Sequence, residues 1–71
     1  MFVKVIWLDD KDNEVQEVVY HCDVLHWLES NRLVMEGVGN RGTIDIMFEN
    51  SKAYVYIMNE NGKTIDSRFM G

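Results

Sequence analysis

Between Thr43 and Glu49 the chain alternates residue by residue: Ile44, Ile46 and Phe48 stand against Thr43, Asp45, Met47 and Glu49. A period of two sends successive side chains to opposite faces of an extended strand, so one side of this segment is built for burial and the other for water. The pattern recurs along most of the sequence. Phe2–Leu8 is apolar and β-rich and stops at Asp9-Asp10-Lys11-Asp12-Asn13. Glu14–His21 then resumes, with Val18 and Tyr20 on one face and Val15, Glu17 and Val19 on the other. Two such runs around a short polar cluster read as a hairpin. Ala53–Asn59 and Thr64–Phe69 flank Glu60-Asn61-Gly62-Lys63, whose Asn-Gly pair is the strongest turn signal in the chain.

Between the first hairpin and these later strands the pattern changes. Asp23 can accept from a first-turn amide, Val24, Leu25 and Leu28 share a helical face, Trp27 flanks it, and Asn31 can adopt a left-handed ending. A short helix is therefore expected over Val24–Asn31, followed by a brief strand at Leu33–Glu36; a competing reading carries the helix on to Glu36, with Gly37 as its stop. The order predicts a single α+β domain over residues 1–71: an antiparallel sheet of four or five strands, made of a β-hairpin, one short helix and a β-meander, with the helix on one face.

One helix cannot cover both faces of such a sheet. If Ile44, Ile46, Phe48, Val55, Ile57 and Ile65 face the helix, then Met47, Tyr54, Tyr56 and Met58 fall on the open side. An aromatic and methionine-rich patch suits an interface, although tyrosines also serve on solvent-facing strands without any partner.

Size and charge narrow the function. The chain has 71 residues, is 46% hydrophobic and 27% charged, and carries a net charge of −5. A domain this small buries only roughly 60–65% of its unfolded surface, and one cysteine, Cys22, permits no internal disulfide. With no glycosylation sequon, no signal-peptide pattern and no membrane-length apolar run, the expected compartment is the cytoplasm. All of the net charge lies in residues 1–31, where seven acids oppose Lys4 and Lys11. That half repels nucleic acid, whose binding depends on phosphate neutralisation, but it would attract a basic protein site. Asp9, Asp10, Asp12, Glu14 and Glu17 are its densest cluster and the candidate electrostatic contact.

No catalytic or cofactor motif survives scrutiny. Gly37-Val38-Gly39-Asn40-Arg41-Gly42 spells a dinucleotide fingerprint, but a strand pattern follows it where a phosphate-holding helix is required. His21, Cys22, Asp23 and His26 have metal-ligand chemistry, yet adjacent strand residues point to opposite faces. Asp10-x-Asp12-x-Glu14 hints at a calcium loop but lacks its glycine and places His21 where a bidentate Glu belongs. The expectation is a protein that is not an enzyme and needs no cofactor or metal.

Met1-Phe2-Val3-Lys4-Val5-Ile6-Trp7, the Asp23-to-Trp27 segment and the closing hairpin resemble Dmd-type antitoxins of T-even bacteriophages. That family consists of very small proteins that bind and block mRNA-cleaving toxins of the host. The resemblance implies that Trp27 is a partner contact; read from burial tendencies alone, Trp27 is equally a core residue. The functional expectation is a phage- or mobile-element-type acidic inhibitor that mimics nucleic-acid charge and blocks a basic site on a nuclease, toxin or other nucleic-acid enzyme. The alternative is a small homo-oligomeric scaffold that associates, as a homodimer for instance, through the open sheet face.

Overall fold

The computed structural model describes residues 1–40 and 42–71. Among these residues the chain forms seven strands and no helix: β1 (Phe2–Leu8), β2 (Glu14–His21), β3 (Val24–Leu28), β4 (Arg32–Glu36), β5 (Thr43–Met47), β6 (Lys52–Met58) and β7 (Thr64–Met70). They make two antiparallel sheets, one in the order β2-β1-β6-β7 and the other in the order β3-β4-β5. The expected α+β class is thus corrected to all-β. In the larger sheet the two most continuously apolar segments, FVKVIWL and KAYVYIM, occupy the centre, while the more polar β2 and β7 take the edges. A central strand has neighbours on both sides and side chains crowded on both faces, which rewards this composition.

The helix expected over Val24–Asn31 is replaced by strand β3 and a tight turn, in which Glu29 rather than Asn31 takes the left-handed conformation (φ 58°). Eight residues are too few to nucleate a helix without strong tertiary support. Here that support favours the strand: Leu25 and Trp27 turn inward opposite Met35 and Leu33, while Val24, His26 and Leu28 turn outward. Asp23 is no helix cap, because its amide donates to the Glu36 carbonyl (2.9 Å) and opens the second sheet. The expected strand at Leu33–Glu36 is present as β4.

The expected meander is corrected as well, since β5 and β6 belong to different sheets. The chain changes sheet twice. At Cys22-Asp23 the Cys22 amide still donates to the Met1 carbonyl (2.9 Å), and the next amide already bonds to β4. At Phe48–Ser51 the Phe48 amide donates to the Asn31 carbonyl (2.8 Å), and Asn50 (φ 60°) turns the backbone towards β6. Gly37 (φ 72°) sits against the Asp23 carboxylate at the first corner, where any Cβ would collide with that side chain.

One core fills the space between the sheets. Val3, Val5, Ala53, Val55 and Met70 from the larger sheet, with Cys22 from the β2–β3 connection, meet Leu33, Met35 and Phe48, and Trp7, Leu25, Trp27, Ile44 and Ile46 pack around them. Each large apolar side chain buried this way contributes about 1.5–3 kcal/mol before entropy is counted. Ile65, expected in the core, is exposed instead: it is the extra residue where the β6–β7 register shifts.

Candidate functional site

The outward face of the larger sheet is assembled from rows that the pairing register dictates. One row runs Glu17, Ile6, Tyr54, Phe69 across β2, β1, β6 and β7; the next runs Val19, Lys4, Tyr56, Ser67; a third begins His21, Phe2, Met58. Tyr54 touches Phe69 (ring centroids 5.1 Å apart) and stacks loosely on Tyr56 (6.4 Å), and Phe2 lies 4.6 Å from the His21 ring. Phe69 and Val19 remain more than half exposed. Lys4 crosses the centre with no carboxylate within ion-pair distance among the described residues, its stem laid between Val19 and Tyr56. The result is a contiguous aromatic and aliphatic surface with Glu17 and His21 on one margin.

The outward face of the smaller sheet differs in kind. There the Arg32 guanidinium grips both oxygens of Asp45 in a bidentate pair (Nε to Oδ1 3.0 Å), and His26 Nε2 meets Glu36 Oε2 at 2.9 Å. The pair holds Asp45 below the ordinary carboxylate range and raises Arg32, each through its hydrogen bond to the other. With those charges satisfied within the sheet, what else this face exposes is scattered apolar surface at Val24, Leu28 and Met47 rather than free charge.

Of the residues that sequence singles out, Tyr54, Tyr56 and Met58 do share one exposed face. Met47 does not join them: it lies on β5 in the other sheet, beside Arg32. The grouping assumed one continuous sheet, and the crossing at Phe48–Ser51 breaks that assumption. Phe2, Ile6, Val19 and Phe69, which the strand-by-strand reading does not group with them, complete the face. For Phe2 and Ile6 the signal lies in β1, where they alternate with the buried Val3 and Val5.

The five acids divide. Asp9 is committed to its turn, where Oδ1 accepts from the amides of Lys11 and Asn13 (both 2.9 Å). Those bonds, the Asn13 amide first, hold its carboxyl below the ordinary value. Asp12, in a left-handed conformation (φ 64°), binds Lys52 Nζ at 3.1 Å. Asp10 and Glu14 are exposed near the tip, and Glu17 borders the aromatic face opposite Ile6.

Trp27 is half-buried against the core, its ring covered by the Arg68 guanidinium (4.0 Å to the centroid), and its indole N–H is buried without an acceptor. Arg68 also borders a surface cleft of about 740 Å³ at one end of the sandwich, together with Asp10, Trp7, Phe48 and Lys52. Cys22 is fully buried and burial pushes its thiol pKa up, while His21 binds Glu60 (2.7 Å). No group of three His, Cys, Asp or Glu side chains among the described residues could hold a metal ion. The Gly37–Gly42 loop runs directly into β5, as its sequence implied, although Arg41 of that motif lies outside the described residues. No helix among the described residues is long and apolar enough to cross a membrane. Comparison with known proteins finds no match to a family model, to a curated protein or to a solved structure.

Proposed function

We propose that this chain is a non-enzymatic, protein-binding inhibitor of the antitoxin type, phage- or mobile-element-borne, acting in the host cytoplasm on a basic site of a nuclease or other nucleic-acid enzyme. The observation that carries this reading is the contrast between the two outward faces: one has paired its charges, the other presents Phe2, Ile6, Tyr54, Tyr56 and Phe69 beside an acidic hairpin. An aromatic centre with a charged rim is how specific interfaces divide affinity from steering. The whole net charge of −5 resides in the half of the chain that supplies this rim, which suits a basic partner.

The test uses the partner recovered from host lysate, with binding followed by surface plasmon resonance. Tyr56→Glu should weaken binding at least tenfold while circular dichroism stays unchanged, because it buries a charge at the centre of the contact. Replacing Asp9, Asp10 and Asp12 by Asn should instead slow association at low salt, and that effect should fade by half-molar salt as the charges are screened. Equal affinities for wild type and Tyr56→Glu would remove the aromatic face, and flat association rates would remove the acidic contact.

A further inference from the structure

Both margins of the larger sheet are open strands, and their equivalent positions carry opposite instructions for pairing. On β7 the Ser67 amide donates to its neighbour's carboxylate, Asp66 Oδ1, at 2.9 Å, so it faces the free edge and not β6. Alternation along an antiparallel strand then turns the backbone groups of Phe69 the same way. An unpaired row of this kind is a template for another strand unless the sequence discourages it.

Counted from its own hairpin turn, the β2 residue that takes the place of Ser67 is Glu17: each is the second residue after the extra one (Val15 and Ile65), opposite Ile6 and Tyr56 respectively. An antiparallel pairing of β2 with a second β2 about Glu17 would set like charges directly against each other, which is destabilising. The same operation on β7 does the reverse. About Ser67 it places Asp66 opposite the partner's Arg68, Arg68 opposite the partner's Asp66, and Ile65 opposite the partner's Phe69. Asp66 and Arg68 share the inward side of the strand, opposite Ile57 and Val55, and neither has an ion-pair partner in its own chain among the described residues. Ile65 and Phe69 are both more than half exposed.

We infer that β7 pairs antiparallel with the β7 of a second copy of this chain, about a two-fold axis at Ser67, joining two four-stranded sheets into one of eight strands. Forming it transfers the Ser67 amide from Asp66 to the partner's backbone and frees that carboxylate for the partner's Arg68. The interface is isologous, as two-fold pairing requires. It leaves Tyr56 uncovered, so it stands independently of the function proposed above, and it would set the two aromatic faces side by side.

Sedimentation equilibrium and light scattering on purified protein test it. Wild type should give the mass of two chains, with a shift to one chain on dilution. Ser67→Glu, which gives β7 the residue of β2, should remain monomeric at concentrations where wild type is paired, as should Ser67→Lys. An equimolar mixture of Ser67→Glu and Ser67→Lys should pair again. Asp66→Lys alone should be monomeric, and Asp66→Lys with Arg68→Glu should recover the dimer. A monomeric wild type at millimolar concentration overturns the inference. So does a dimer that survives Ser67→Glu, or one lost in Tyr56→Glu instead, which would move the contact to the sheet face.

Discussion

The β1–β2 hairpin and the β6–β7 hairpin lie fifty positions apart in sequence and flank the larger sheet on either side of its centre, where Val5 faces Val55. Their turns follow one plan. Asp9 and Asn59 each donate their amide across the turn, to Asn13 and Lys63 (both 2.9 Å), and each uses a side-chain oxygen to bind two further amides. Asp12 and Gly62 occupy the same left-handed position, at φ 64° and 82°. Each hairpin also carries one extra residue in its outer strand, Val15 and Ile65. What differs is the chemistry laid over that plan. The first turn uses a carboxylate where the second uses an amide, and the first edge presents Glu17 where the second presents Ser67. Backbone geometry and surface charge are thus specified separately here, the one by a few turn positions and the other by residues free to vary around them.

If the hairpins are equivalent supports of the core, their centres should matter equally. Val5→Ala and Val55→Ala should each cost about 2 kcal/mol in denaturant unfolding, because both side chains are fully buried. As the two face each other, the double variant should depart from additivity. A cost concentrated in one hairpin would break the equivalence.

The shared left-handed position gives a smaller contrast. Gly62→Val should destabilise by about 1–2 kcal/mol, since a β-branched residue is strained at positive φ. Asp12→Gly should stabilise by about 0.5 kcal/mol or less, the gain in the turn being offset by loss of the Lys52 contact.

Acid should separate the two turns most finely. The Asp9 carboxyl is held below its ordinary value of 3.8, chiefly by the Asn13 amide. A depressed folded-state pKa means that the stabilisation is present above the unfolded value and is lost as pH falls through the folded one. Amide exchange at Lys11 and Asn13 should therefore rise in strong acid, while Asn61 and Lys63, bound by the neutral Asn59, should hold. Asp9→Asn should abolish the difference; its persistence in that variant would assign the acid sensitivity elsewhere.

The hairpins were also the most readable part of the chain. Val18 and Tyr20 alternate with Glu17 and Val19 as the strand requires, Val15 being the extra residue where that register shifts, and Asn61-Gly62 marks the second turn without tertiary information. The middle of the chain was less readable because Val24, Leu25 and Leu28 satisfy a helical stripe as well as a strand. Only the presence of Leu33 and Met35 opposite Trp27 and Leu25 resolves them. The division into two sheets was hidden for a different reason: β5 and β6 are consecutive, and nothing local in Phe48–Ser51 says that the chain changes layer there. Half of the aromatic face was visible in Tyr54, Tyr56 and Met58. The rest depended on pairing β1 with β6, a contact between distant segments.

That central pairing has a bearing on synthesis. Val5 leaves the ribosome long before Val55, and at about 5–20 residues per second the interval is roughly 3–10 s. Throughout it the nascent β1–β2 hairpin has an unfilled backbone ladder along β1, with Phe2, Ile6 and Trp7 uncovered beside it. The smaller sheet, whose strands are local, can form meanwhile, but until β6 arrives Leu33 and Met35 have only the Val3 and Val5 side of their opposing layer. Because β6 closes a pairing with a strand made some fifty residues earlier, that interval leaves the β1–β2 hairpin open to nascent-chain chaperones.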